Sequence, residues 1–167
     1  MRIVAVSDTH HNTELLERCV RQAIADGQID AFLHCGDGVR DLETVEPLLI
    51  AQNPRIRIAA VKGNCDLGEF AYSASELVEL NGVRTLVTHG HLFQVKQGLS
   101  HLAKAARELN AALAFYGHTH RPEIVDGHGV TMINPGSLAS LQAAGFAYLE
   151  VLIYGSHSIR ENFIKRR

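Results

Sequence analysis

Short apolar runs alternate with amphipathic stretches along the chain, and five of the runs stop on a residue able to ligate a metal ion. Ile3 to Val6 leads into Asp8-Thr9-His10, Ala31 to Leu33 into Gly36-Asp37, and Ile56 to Val61 into Gly63-Asn64. Thr85 to Val87 leads into His89-Gly90, and Ala112 to Tyr116 into Gly117-His118-Thr119-His120. Brief apolar runs bounded by Gly, Asp and Asn predict buried strands. Between the first two, Leu15, Leu16, Cys19, Val20, Ala23 and Ile24 recur at helical spacing. This predicts a helix over Thr13 to Ala25, capped by Asn12 or Thr13 and followed by Gly27. A second helix is expected from Asp41 to Ala51, closed by Asn53-Pro54. The opening half therefore reads βαβαβ, with parallel strands and right-handed crossovers.

After Asp66 the pattern changes. Glu76 to Leu80 and Val83 to Thr88 flank Asn81-Gly82, a two-residue hairpin signal, so the sheet becomes mixed. A third helix is expected from about Gly98 to Leu109. Beyond it come a hairpin through Asp126-Gly127-His128-Gly129, a turn at Asn134-Pro135-Gly136-Ser137, and closing strands near Phe146 to Ile153 and Ser158 to Ile164. No repeat, low-complexity tract or linker divides the chain, and residues 1–167 read as one domain.

In a twisted α/β sheet the loops at the carboxyl ends of the strands form the ligand crevice. Asp8, His10, Asp37, Asn64, His89, His118 and His120 would then face one another. Two carboxylates, one amide oxygen and four imidazoles are too many donors for one metal ion and suit two. Nitrogen and oxygen donors together favour Mn²⁺, Fe²⁺, Co²⁺, Ni²⁺ or Zn²⁺ over Ca²⁺ or Mg²⁺, and no positioned thiolates point to a purely structural zinc. The expected cofactor is two divalent ions, Mn²⁺ favoured. One carboxylate has to bridge, and Asp37 is the natural candidate, placed on the central strand behind Gly36. Two divalent ions less two carboxylates and a hydroxide leave a charge of about +1, which suits a phosphoryl group attacked in line.

Composition narrows the picture. A formal net charge of −2 with 20% charged residues argues against a general grip on nucleic acid or an anionic membrane, and the Lys165-Arg166-Arg167 cluster reads as a solvated tail. Three irregularly spaced cysteines suit reduced thiols. Met1 runs almost directly into the first strand, and no apolar stretch approaches the roughly 18 residues of a membrane span. A cytoplasmic location is expected. Ten histidines are the one compositional oddity, and most fall at the strand ends named above.

The ordered set Asp-x-His, Gly-Asp, Gly-Asn, His-Gly and Gly-His-x-His resembles the calcineurin-like metallophosphoesterase superfamily. Gly63-Asn64-Cys65-Asp66, Thr88-His89-Gly90-His91 and Asn134-Pro135-Gly136-Ser137 make the chain similar to its small single-domain bacterial and archaeal phosphodiesterases. The resemblance spans Asp8 to Ser137. It implies an α/β/β/α sandwich of two mixed β-sheets flanked by helices. It also implies Asp8, His10 and His120 on one metal, Asn64, His89 and His118 on the other, and Asp37 on both. A metal-bridging hydroxide would be the nucleophile, so no side chain attacks.

Two positions depart from the pattern. Protein-phosphatase members carry a histidine after Gly-Asn that helps protonate the leaving group, where this chain has Cys65. His91, on the substrate side, or water would have to serve instead. Ser140-Leu141-Gln142 stands where many close relatives are expected to carry a Pro-Arg pair after the Asn-Pro-Gly-Ser turn, so an arginine contact to substrate is not expected from this loop. His34 is expected to face the core or the opposite face, and His11, His101, His128 and His157 the surface. Cys19 belongs to the core stripe of the first helix, Cys35 to the core or behind the ligands, and the Asn134 turn is expected to brace the metal loops. The leading expectation is a phosphodiesterase acting on a small phosphate ester, with a homo-oligomer allowed. A protein-binding scaffold resembling the small subunit of the retromer coat, and a phosphomonoesterase, stand as alternatives.

Overall fold

The computed structural model describes residues 1–139 and the backbone of two closing strands, 149–154 and 158–163. Ser140-Leu141-Gln142, Phe146 to Tyr148, His157, Ile164 and the Lys165-Arg166-Arg167 cluster lie outside the described residues. The first half forms β1 (Arg2–Val6), α1 (Thr13–Ala25), β2 (Ala31–His34), α2 (Leu42–Gln52) and β3 (Arg57–Ala60). The three strands are parallel, with Val4 beside Phe32 and Phe32 beside Ile58. Asn12 caps α1 by accepting a hydrogen bond from Leu15 N at 3.2 Å.

The second half contributes β4 (Ser75–Leu80), β5 (Val83–Thr88), α3 (Ser100–Glu108), β6 (Leu113–Phe115), β7 (Glu123–Gly127), β8 (Val130–Asn134), β9 (Leu149–Tyr154) and β10 (Ser158–Phe163). Strands β4 to β8 build a second sheet in the order β4-β5-β6-β8-β7, while β9 and β10 return to the first, ordered β10-β9-β1-β2-β3. Both sheets are mixed, because β9 runs antiparallel to β1 and β4 antiparallel to β5. Asn81 and Gly82 both take positive φ, 51° and 81°, the backbone that a tight hairpin turn needs.

Alternation along the strands creates the layers. Ile3, Ala5, Ala31 and Leu33 point from the first sheet onto Val78, Leu80, Val87, Leu113, Phe115 and Ile133 of the second. Val4, Val6 and Phe32 point the other way, onto Leu16, Cys19, Val20 and Ala23 of α1 and Val45 and Leu49 of α2. On the far side Leu86, Ala114, Tyr116 and Met132 pack on Leu102, Ala103 and Ala106 of α3. The result is the α/β/β/α sandwich. Among the described residues no helix is long and apolar enough to cross a membrane.

Two expectations need correction. The middle strand of the first sheet is β1, not the β2 that leads to Asp37, because β9 and β10 extend the sheet beyond β1. Helix α2 opens at Leu42 after a 3₁₀ turn, Val39–Asp41. Asp41 occupies its N-cap position but makes no side-chain capping bond. Its carboxylate instead accepts hydrogen bonds from Thr9 Oγ1 at 2.5 Å and His11 N at 2.9 Å, tying α2 to the loop after β1.

Candidate metal centre

The loops that follow β1, β2, β3, β5 and β6 meet at one end of the sandwich. Backbone bonds fasten them: Asp8 N donates to Gly36 O at 2.9 Å, His10 N to Asp37 O at 3.1 Å, and Gly117 N to His89 O at 3.1 Å. Asp8, His10, Asp37, His118 and His120 all adopt positive φ, between 43° and 67°. Side chains other than Gly enter that region at a cost of about 1 kcal/mol or more each. The surrounding loops hold five such residues at one point, where strain fixes the direction of each side chain.

Two triads result. Asp8, His10 and His120 bring their donor atoms within 4.8 Å of one another, and so do Asp37, His89 and His118. His120 Nε2 lies 3.0 Å from Asp8 Oδ1, and His10 Nε2 lies 3.9 Å from both Asp8 Oδ1 and Asp37 Oδ2. His89 Nε2 lies 3.3 Å from Asp37 Oδ2 and 4.0 Å from Asp8 Oδ1, so the triads share a centre. The 3.3 Å contact is an ion pair only when His89 is protonated.

The far side of each candidate donor is anchored. Asp8 Oδ2 accepts from Ser7 Oγ at 2.6 Å and His118 N at 3.0 Å, which turns Oδ1 inward. His89 Nδ1 meets Cys35 O at 2.8 Å, so this nitrogen carries the hydrogen and Nε2 faces the centre. Asp37 Oδ1 accepts from Cys65 N at 2.8 Å, leaving Oδ2 for the centre. Asp8 Oδ1 and His89 Nε2 are buried without a hydrogen-bond partner. A native fold seldom leaves such atoms orphaned unless something else binds them. Nitrogen and oxygen donors converging on two points fit a pair of divalent cations.

Asn64 is exposed beside this centre, its Nδ2 donating to Cys65 Sγ at 3.3 Å. Half-buried His91 stacks near the cage, its ring 5.4 Å from that of His89, and its Nδ1 is also orphaned. Cys65 was not expected as a donor, yet its sulfur forms a third group with His10 and Asp37 within 4.8 Å. His34 is fully buried in the core, with Nε2 3.3 Å from Thr9 Oγ1. His11, His101 and His128 are exposed, and Cys19 is buried.

Burial and neighbouring charges set the protonation of the candidate donors. Burial raises the Asp8 carboxyl above its ordinary range, with His89 and Ser7 opposing. Burial also acts upward on Asp37, but contact with His89 and the Cys65 N–H outweigh it and hold the group low. Burial alone would lower the His89 pKa, yet Asp37 and Asp8 raise it. His118 falls to about 4 through burial and the nearby His89 and Lys96 charges. Asp37 and His89 thus favour each other's charged forms, while burial biases Asp8 and His118 toward neutrality.

Residues behind the ligands complete the site. Asp66 accepts four backbone N–H bonds, from Asp37 (2.8 Å) and Gly63 (2.7 Å) on Oδ2, and from Gly38 (2.7 Å) and Val39 (3.1 Å) on Oδ1. This carboxylate staples the loop after β2 to the loop after β3. Its signal in the sequence was the fourth position of Gly63-Asn64-Cys65-Asp66. Asn134 Nδ2 donates to Gly117 O at 2.9 Å and Thr119 Oγ1 at 3.0 Å, while Ser137 Oγ donates to Asp8 O at 2.9 Å. The Asn134 turn therefore braces two ligand loops from behind. Gly117 permits this closeness: a Cβ there would strike Ser7 Oγ and come within 2.7 Å of Asp8 Oδ2.

Comparison with known proteins identifies the family. The family model of the calcineurin-like phosphoesterase superfamily domain matches residues 1–152, and the chain belongs to that superfamily. A "Probable metallophosphoesterase" of Bacillus subtilis is 39% identical over 140 residues, covering 83% of this chain and 75% of the relative. A Streptococcus pneumoniae protein predicted to be a phosphoesterase superposes with a TM-score of 0.77 at 28% identity, over 99% of this chain and 89% of its own. A structure described as a novel archaeal phosphodiesterase superposes at 0.74 and 25% identity, over 98% of this chain and all of its own. Vps29 of Entamoeba histolytica, solved with zinc, shares the fold at a TM-score of 0.70 and 20% identity, over 98% of each chain. Family membership implies phosphoester hydrolysis with divalent metal ions.

Proposed function

We propose that this protein is a dinuclear phosphodiesterase that acts on small phosphate diesters, with Mn²⁺ its favoured metal and the cytoplasm its location. Asp8, His10 and His120 would hold one ion, Asn64, His89 and His118 the other, and Asp37 would serve both. The observation that carries the reading is the pair of orphaned, buried donors, Asp8 Oδ1 and His89 Nε2, facing one centre shared by two triads. The likeness to the archaeal phosphodiesterase favours a diester over a monoester. The ions would supply Lewis acidity toward the phosphoryl oxygen and lower the pKa of water.

The chain's own contribution is positioning. Ser7 and the His118 N–H fix Asp8, Cys35 O fixes the His89 tautomer, and Cys65 N fixes Asp37, so the donors need little reorganisation when the site fills. His91 stands beside His89 and His118 with its ring half-buried, which places it on the substrate side of the cage. The test is hydrolysis of an activated diester and an activated monoester by metal-stripped protein with and without Mn²⁺. We expect Mn²⁺-dependent cleavage, faster for the diester, that is abolished in a folded Asp37→Ala variant. Cleavage of neither ester, or near wild-type rates in Asp37→Ala, would overturn the reading.

A further inference from the structure

The dinuclear reading leaves one donor at the centre without a role. Cys65 is an exposed free thiol whose Sγ lies within 4.8 Å of both the His10 and Asp37 donor atoms, and those three atoms form a closed triangle of their own. The triangle opens onto the same centre as the unpartnered, buried Asp8 Oδ1 and His89 Nε2. Its backbone is fixed as well, because Cys65 N donates to Asp37 Oδ1 at 2.8 Å and the neighbouring Asp66 is held by four N–H groups. The Cα of Cys65 is thereby held, and rotation about Cα–Cβ alone moves the sulfur toward or away from the centre.

Resting on the dinuclear reading, the geometry points to Cys65 as a further, soft metal ligand, joining His10 and Asp37 to make this corner selective for thiophilic cations such as Co²⁺, Zn²⁺ and Cd²⁺. On binding, the sulfur forms a bond to the cation and its proton passes to solvent. Softness then separates metals that the nitrogen and oxygen donors hold similarly: the sulfur strengthens the hold on Zn²⁺ and Cd²⁺ and adds little for Mn²⁺ or Mg²⁺. The sulfur would thus raise the hold of this corner on thiophilic ions above what the nitrogen and oxygen donors give alone, while leaving its hold on Mn²⁺ nearly unchanged, at a point reached from solvent.

Cobalt reports on the sulfur without any turnover. Metal-stripped protein is titrated with Co²⁺ and followed by absorbance, with bound metal counted after dialysis, in the wild type and in Cys65→Ser. The wild type is expected to show cobalt d–d bands together with a near-ultraviolet thiolate-to-cobalt charge-transfer band. The serine variant should keep the d–d bands and the metal count but lose the charge-transfer band. Its hold on Zn²⁺ and Cd²⁺ should weaken about 10- to 100-fold, and its hold on Mn²⁺ by less than about 2-fold. Cobalt bound to the wild type without the charge-transfer band would overturn the sulfur ligand while leaving the dinuclear reading standing. So would a band that survives in Cys65→Ser. No Co²⁺ uptake at all would overturn both. Because Cys65 is exposed and its backbone carries the structural contact, the serine variant should fold, and unchanged circular dichroism checks this.

Discussion

Replacing Asp66 tests how far the metal centre depends on a residue that touches no metal. Its two oxygens divide the work: Oδ1 accepts from Gly38 N and Val39 N, and Oδ2 from Asp37 N and Gly63 N. Asp66→Asn converts one oxygen into an NH₂ group that faces two N–H donors, so two of the four bonds are lost and replaced by a repulsive contact. Hydrogen bonds to a charged acceptor contribute about 1.5–3 kcal/mol each, and water reaches part of this half-buried site, so the Asn variant should lose about 2–4 kcal/mol. Asp66→Ala loses all four bonds and should lose more, though less than twice as much, because water can enter the space left. Since Asp37 N is one of the donors, the Asp37 carboxylate, proposed to serve both ions, should be displaced in both variants, and Mn²⁺ binding should weaken about 10- to 100-fold. Urea unfolding of the metal-free protein gives the first quantity and calorimetric titration with Mn²⁺ the second. A loss below about 1 kcal/mol in Asp66→Ala, or unchanged Mn²⁺ affinity in both variants, would refute the stapling role.

Two further predictions concern charge. His34 is wholly buried and its pKa is lowered from 6.5 to about 4, chiefly by burial, with nearby carboxylates opposing. Only its neutral form suits the fold. Stability should be complete above pH 6.5 and fall as the pH drops toward 4, because there the unfolded chain binds a proton that the folded chain does not. The loss approaches about 3 kcal/mol by pH 4. Unfolding free energy measured across that range should show this extra slope in the wild type and not in His34→Gln; identical slopes would contradict the assignment. Asn64→Asp adds a negative charge to a centre of about +1 and should raise KM for an anionic diester more than it lowers kcat. An unchanged KM would count against the charge argument.

The parts of the fold set by local patterning were legible. Helix α1 was bounded correctly by its apolar stripe and Asn12 cap, and the Asn81-Gly82 hairpin by its turn chemistry. Apolar runs ending on Asp, Asn and His marked the loops that meet at the centre, because strands in one layer deliver their carboxyl ends to one edge. What was not legible depends on contacts distant in sequence. Nothing near Asp41 reveals that its carboxylate serves Thr9 and His11 rather than the helix it precedes. The Gly63-Asn64-Cys65-Asp66 motif marks Asp66, but it does not show that the carboxylate gathers the N–H groups of residues 37 to 39. The middle position of β1 depends on β9 returning to pair with it from more than a hundred residues away. Cys65 was read as a missing acid, since a single thiol after Gly-Asn carries no local sign of the company it keeps with His10 and Asp37.

The central claim is that donors from five strand ends enclose two ions at a single point. Anomalous scattering from crystals grown with Mn²⁺ measures this directly. The account predicts two peaks roughly 3.5–4 Å apart. One should lie within reach of Asp8, His10 and His120, the other within reach of Asn64, His89 and His118, with Asp37 between them. A single peak, or two peaks whose neighbours exclude Asp37 and His89, would contradict it.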